Sequence, residues 1–150
     1  MSKVKTESAK LLTEMVMAVF RLNGSILRAA EVICVDTALT PARWQVLGVV
    51  LEEPKTVSQI ARNLGLTRQS VQRLADALVA ENMASYIDNP AHARAKLCAV
   101  TDYGLEVIGQ LADDQSIWAN SITDSMNKKE LQLCLNTMRE LIARIEQKGC

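Results

Sequence analysis

The sequence predicts a mainly α-helical chain with one small β-hairpin, and three observations predict it. Apolar residues recur at steps of three and four along most of the 150 residues, the period of a helix with one face turned inward. Thr40, Thr56, Thr67, Thr101 and Asn127 stand where helices would begin, and Gly65 and Asn82 where they would stop, each residue type suited to its position. Between Tyr86 and Val100 the helical period gives way to two short extended runs around an Asn89-Pro90 turn signal.

Leu12, Met15, Val19, Leu22 and Ile26 form the first stripe, widened by Leu11, Phe20 and Leu27. They predict one long helix from about Thr6 to about Ile33, with Gly24 as a soft spot. Its length exceeds that of a typical globular helix, which points to a partner helix. Thr40-Pro41 sets an N-cap before proline at the first helical position. The helix it opens runs to about Leu51, with Trp44, Leu47 and Val50 or Leu51 inward, and Glu52-Glu53-Pro54 ends it. Thr56-Val57-Ser58-Gln59 is a capping box for a short helix that buries Val57, Ile60, Ala61 and Leu64 and breaks at Gly65. Leu66 fills the turn. Thr67 caps the next helix, Arg68 to about Glu81, whose core face is Val71, Leu74, Ala75 and Leu78. Tyr86-Ile87-Asp88 and Lys96 to Val100 then form a hairpin with a long tip, Asn89 to Arg94. Thr101 caps a helix beginning at Asp102, with the stripe Ile108, Leu111, Gln115, Trp118 and Ile122. Asn127-Lys128-Lys129-Glu130 caps the last helix, with the stripe Leu131, Leu135, Met138, Ile142 and Ile145.

Composition narrows the function classes. A hydrophobic fraction of 49% over this length predicts one folded domain rather than a disordered chain. No apolar run approaches the ~18–20 residues of a membrane span, and Met1 to Glu7 lacks the apolar core of a signal peptide, so a soluble, cytoplasmic protein is expected. With His92 the only histidine, a histidine metal site or a Ser-His triad has little to work with. Cys34, Cys98, Cys134 and Cys150 lie far apart with no CxxC, which argues against zinc and against a disulfide framework. The first three read as small buried apolar residues and Cys150 as a free terminal thiol. Aromatic residues at 3% speak against stacking on single strands. There is no Gly-rich phosphate loop, metal-ligand set or nucleophile–base pair, so no catalytic residue, cofactor or enzyme activity is expected.

The formal net charge is zero, but it is unevenly spread. Residues 55–96 carry Lys55, Arg62, Arg68, Arg73, Arg94 and Lys96 against Asp76, Glu81 and Asp88, a net +3, while residues 1–54 balance and residues 97–150 net −3. A basic patch of this kind binds phosphate even in a neutral chain. It coincides with a short helix, a glycine turn and a second helix, a helix-turn-helix. Ala61 lets the two helices approach, Gly65 makes the turn and Val71 plugs the interface. With the hairpin following, the unit is a winged helix, whose second helix lies in the major groove of double-stranded DNA. Its polar residues are Arg68, Gln69, Gln72 and Arg73, with Thr67 at the cap and Ser70 in the first turn. Arginine pairs with guanine O6 and N7, glutamine with adenine N6 and N7. Arg94 at the hairpin tip is placed for the narrow minor groove, with Lys96 just beyond it. Arg62, Arg68, Arg73, Arg94 and Lys96 are candidate phosphate or base contacts. The competing reading of each is an ordinary solvated face.

Four stretches carry a resemblance to a known family. Leu39-Thr40-Pro41-Ala42-Arg43-Trp44-Gln45-Val46-Leu47 resembles the opening helix of the winged-helix region in the MarR family of bacterial transcription regulators. Ile60-Ala61-Arg62-Asn63-Leu64-Gly65-Leu66-Thr67-Arg68-Gln69-Ser70-Val71 resembles its helix-turn-helix. Pro90-Ala91-His92-Ala93-Arg94-Ala95-Lys96-Leu97 and Val100-Thr101-Asp102-Tyr103-Gly104 resemble its wing and the exit from it. The flanking helices fit the family's dimerisation region. The resemblance therefore implies one domain over 1–150, with the winged helix at about 40–101 and dimerisation helices at about 6–33 and 102–148.

It further implies a homodimer on a pseudo-palindromic operator, with recognition helices ~34–36 Å apart and repression as the usual outcome. It also implies a small, often aromatic effector bound between the dimer region and the winged helix. Arg43 and Trp44 lie on the helix that would line such a cleft, and the plainer reading of Trp44 is core. The sequence departs from the family at His92, usually an aspartate that braces the wing, at Ala93, often arginine, at Asn82, often glycine, and near Tyr86, where a basic residue is common. The wing thus carries fewer charges, so DNA binding is expected to be weaker or more dependent on the recognition helix. The alternative is a dimeric winged-helix interaction module with weak or lost DNA binding.

Overall fold

The caps decide where this chain turns. In a computed structural model, which describes residues 4–149, helix α1 (Glu7–Cys34) starts after Thr6, whose Oγ1 accepts from Ala9 N at 3.2 Å. Helix α2 (Pro41–Val50) starts after Thr40, whose Oγ1 accepts from Arg43 N at 3.3 Å. Strand β1 (Lys55–Thr56) runs directly into α3 (Val57–Leu64), and here the capping box closes in both directions. Gln59 N donates to Thr56 Oγ1 at 3.2 Å and Thr56 N to Gln59 Oε1 at 2.8 Å. Helix α4 (Arg68–Ala80), strands β2 (Ala84–Ile87) and β3 (Leu97–Val100), and helices α5 (Asp102–Thr123) and α6 (Lys128–Gln147) complete the chain. Asn127 caps α6. The readings of Met1 to Lys3 and of Cys150 lie outside the described residues. No helix among the described residues is long and apolar enough to cross a membrane.

The chain forms two compact units, Met1–Asp114 and Gln115–Cys150. The first holds the core. Val46, Leu47 and Val50 of α2, Ile60 and Ala61 of α3, Val71, Ala75 and Leu78 of α4, Met83, Ala84 and Cys98 around the sheet, and Val107 and Leu111 of α5 are buried together. Trp44, Val57, Leu64 and Leu74 pack partly buried against them. Of the pair left open in α2, Val50 is the inward residue and Leu51 turns out at 40% exposed. The fold is thus mainly α with a small antiparallel sheet, as the sequence predicts.

The sheet has three strands rather than two, in the order β1-β3-β2. The unforeseen strand is β1, which pairs Lys55 with Cys98 and Thr56 with Leu97. Strand β2 begins at Ala84, two residues before the predicted run, and pairs Tyr86 with Cys98. The step from sheet to α5 is tight. Thr101 Oγ1 donates to the Asn82 carbonyl at 2.6 Å and accepts from Gly104 N at 3.0 Å. A Cβ on Gly104 would run into the Met83 carbonyl oxygen. Asn82 takes φ 61°, the left-handed position its residue type allows.

Three apolar faces differ from the plain core the stripes describe. In α1 only Cys34 is buried, and Leu12, Val19, Leu22 and Ile26 are between 36% and 47% exposed. In α5 the buried residues are Gly104, Val107 and Leu111, so of the predicted stripe Leu111 is buried, Ile108 partly so, and Ile122 exposed. No described residue of α6 is buried, and Leu131, Leu135, Ile142 and Ile145 stand exposed on it. Cys34 and Cys98 are buried as expected, whereas Cys134 is exposed. Burial pushes the Cys98 thiol up to about 11.

Candidate nucleic-acid interface

The turn between α3 and α4 is built on Gly65. It adopts φ 65°, ψ 31°, a left-handed conformation costly for any residue with a Cβ. There its N–H donates to the Arg62 carbonyl at 3.3 Å while Leu66 N reaches the Ala61 carbonyl at 2.9 Å. Ile60, Ala61, Val71 and Ala75 close the helix pair. Leu66, expected to fill the turn, is 41% exposed, because the buried side of this pair is already occupied by those four. Thr67 Oγ1 accepts from Ser70 N at 3.1 Å and donates to Ser70 Oγ at 2.9 Å. Both hydroxyls therefore serve the start of α4.

Helix α4 presents its polar residues on two sides. Arg68, Gln69 and Gln72 face the wing. With Tyr86, Arg94, Ala95 and Lys96 of the wing, and Thr56, Val57 and Ser58 at the start of α3, they line an open groove of about 690 Å³. Ser70 and Arg73 instead line a second cleft of about 360 Å³ with Arg43, Leu74 and Ala77. Arg62 is exposed on α3 and lines neither. Five of the nine residues predicted to touch DNA thus meet in one groove.

The wing is held without the acid that the family resemblance places at His92. Asn89 Oδ1 accepts from Ala91 N at 3.0 Å. His92 N donates to the Asn89 carbonyl at 3.2 Å, and Ala95 N to the His92 carbonyl at 3.2 Å. Lys96 Nζ meets Asp88 Oδ1 at 3.3 Å across the hairpin. Both groups are exposed, so the pair contributes little stability and is readily exchanged for another anion.

One cluster in the groove escapes sequence reasoning. Gln72 Nε2 donates to Asp76 Oδ1 and to Tyr86 Oη, each at 2.9 Å, and Tyr86 Oη donates to Asp76 Oδ1 at 2.6 Å. The Tyr86 hydroxyl, then the Gln72 amide, hold the Asp76 carboxyl below the usual carboxylate range. Burial, then the bond to Asp76, raises the Tyr86 phenol well above its ordinary value. At neutral pH the cluster is therefore a carboxylate and a phenol. Gln72 and Asp76 are one turn apart on α4, a signal visible in sequence. Tyr86 arrives only through the packing of β2.

The MarR family model matches residues 39–95, the stretch that runs from α2 to the wing tip. The chain belongs to the MarR family. It is similar to an uncharacterized protein of Mycobacterium tuberculosis, 34% identical over 135 residues, which are 90% of this chain and 94% of that one. Among solved structures it is similar to CouR from Rhodococcus jostii bound to p-coumaroyl-CoA, with a TM-score of 0.77 at 18% identity over 85% of this chain and 91% of that one. It is likewise similar to the MarR of Staphylococcus aureus in complex with salicylate and kanamycin, with a TM-score of 0.74 at 17% identity over 94% and 95%. The fold is that of MarR-family winged-helix transcription regulators.

In this MarR-family chain the two residues tied to an effector behave differently. Arg43 Nη1 pairs with Glu81 Oε1 at 2.8 Å while lining the second cleft. Trp44 packs against the core, the plainer of its two readings.

Proposed function

We propose that this chain is a cytoplasmic, homodimeric, sequence-specific regulator that binds double-stranded DNA and acts by repression. The observation that carries this reading is the groove in which Arg68, Gln69 and Gln72 of α4 face Arg94 and Lys96 of the wing. A recognition helix in the major groove with a cationic wing beside it divides the work between base edges and phosphates. Arg68, Gln69 and Gln72 read bases in this account, Arg94 enters the minor groove, and Lys96 leaves Asp88 for a phosphate. Thr67 and Ser70 shape the start of the recognition helix, and Arg62 and Arg73 add long-range attraction from outside the groove. The exposed apolar faces of α1 and α6 supply the dimer surface. The protein works by binding, not catalysis.

Release by a small aromatic ligand completes the proposal. Two similar structures carry small molecules, p-coumaroyl-CoA in one and salicylate in the other. The cleft between α2 and α4, with Arg43 and Arg73 on its wall, suits an anionic aromatic of modest size. Such a ligand releases DNA only if it binds one arrangement of the recognition helices better than the other.

The test is a titration of the protein against DNA flanking its own gene and against a scrambled duplex, followed by fluorescence anisotropy. Nanomolar binding to the flank, lost on the scramble, is expected. Equal, weak binding to both duplexes would favour the competing interaction module. The Asp88 carboxylate paired with the groove cation Lys96 is the feature that supports that second reading.

A further inference from the structure

Gln72 lines the helix–wing groove and is exposed, yet its amide is tied at one end. Its Nε2 lies 2.9 Å from Asp76 Oδ1 and 2.9 Å from Tyr86 Oη. Tyr86 Oη in turn donates to the same Oδ1 at 2.6 Å. A carboxylate only accepts, so Nε2 rather than Oε1 must face it. Turned end for end, the amide would set Oε1 against Oδ1 with no hydrogen between them. The bonds from Tyr86 and from Gln72 also hold the Asp76 carboxyl below the usual carboxylate range, so it stays an acceptor at neutral pH. Asp76 lies one turn along α4 and ties Gln72 only to its own helix. Tyr86 belongs to β2, where it pairs with Cys98 of β3, and so ties the amide to the sheet that carries the wing.

An amide that turns freely offers either a donor or an acceptor at the same point in space. It meets adenine N6 or cytosine N4 with its oxygen and guanine O6 or thymine O4 with its nitrogen, and so tells them apart poorly. An amide held end for end offers only one of the two at that point. We propose that Tyr86 determines base specificity through Gln72: together with Asp76, its hydroxyl fixes which end of the Gln72 amide meets the base edge. This rests on the reading of the groove as a DNA interface. Tyr86 and Asp76 are positioning residues here, and the atoms that touch the base belong to Gln72. Holding the amide before DNA arrives also removes part of the ordering that binding otherwise demands.

The test is selection from a randomised duplex pool, with sequencing of the bound DNA, by the wild type, Gln72→Ala, Tyr86→Phe, Asp76→Asn and the double variant Gln72→Ala/Tyr86→Phe. The position whose preference vanishes in Gln72→Ala is the one Gln72 reads. Tyr86→Phe keeps the ring and removes only the hydroxyl. At that position its preference for the favoured base is expected to fall by roughly 2- to 12-fold, the range of one net hydrogen bond, with the other positions within about twofold of the wild type. Asp76→Asn keeps the shape of the side chain, but its amide donates as well as accepts. Gln72 then turns either way round, and the same position is expected to broaden. The double variant is expected to show the preferences of Gln72→Ala. A Tyr86→Phe or Asp76→Asn variant that retains the wild-type preference at that position overturns the proposal. So does a Tyr86→Phe variant that weakens every position alike, as a purely structural role would. A double variant whose preferences depart from those of Gln72→Ala also overturns it, because Tyr86 would then read DNA by itself. A Gln72→Ala variant that keeps every preference leaves Tyr86 nothing to act through and has the same consequence. A wild type that enriches no sequence at all overturns the DNA-binding reading itself, and the two failures are thereby distinguished.

Discussion

Gly104 shows how one residue fixes the wing. It sits where the first turn of α5 crosses the Met83 carbonyl, and any Cβ there collides with the Met83 backbone and also crowds Val100 Cγ2. Gly104→Ala must therefore move α5 off the sheet or push Met83 aside. Overpacking of this kind costs about 1–3 kcal/mol, which urea denaturation would register as a lower midpoint at unchanged slope. A midpoint equal to wild type would mean that the neighbourhood relaxes freely. The demand is partly legible in the sequence, since Val100 to Gly104 resembles the exit from a wing. The collision partner is not, because Met83 lies twenty-one residues back and meets Gly104 only in the fold. Gln72 teaches the same lesson. Its outward position follows from helical period, but its bond to Tyr86 depends on the packing of β2 against α4.

At the scale of elements, local chemistry sets most boundaries. The capping threonines and Asn127 begin their helices at the predicted residues because an N-cap works through atoms two or three positions away. The box at Thr56 is the most exacting case, with two reciprocal bonds at one helix start. Thr56→Ala removes the acceptor for Gln59 N and is expected to cost about 1 kcal/mol. Thermal or urea unfolding would read this, and no change would show that water replaces the cap. Strand β1 is invisible in the sequence for the opposite reason. Two residues carry no period, and Lys55 and Thr56 become a strand only because β3 offers them partners. Past Leu111 the predicted stripe of α5 is half-buried at Gln115 and Trp118 and exposed at Ile122, because a long helix changes neighbours along its length. Period alone does not say which turn meets the core. Composition alone predicts a buried Cys134, yet this residue lies on a helix with no buried described residue.

At the scale of the molecule, α1 and α6 both carry exposed apolar residues, among them Phe20 at 68% and Leu133 at 66%, and the proposed homodimer would cover them. Val19, 46% exposed on α1, tolerates a charge in an isolated chain but not inside an interface. Val19→Glu is expected to convert a dimer to a monomer in sedimentation velocity, with helix content by circular dichroism unchanged. A dimer of undiminished affinity would place the interface elsewhere. We propose the helix–wing groove as the DNA face. Its most direct measurement is the salt dependence of operator binding for the wild type, Arg94→Ala and Lys96→Ala. Each phosphate that the protein neutralises adds roughly −0.9 to the slope of log K against log salt. If Lys96 meets a phosphate and Arg94 sits in the minor groove between the phosphates of both strands, each variant has a shallower slope, Lys96→Ala by about 0.9 for every phosphate its subunits no longer neutralise. Slopes identical to wild type in both variants would contradict the account and move the DNA to another face of the protein.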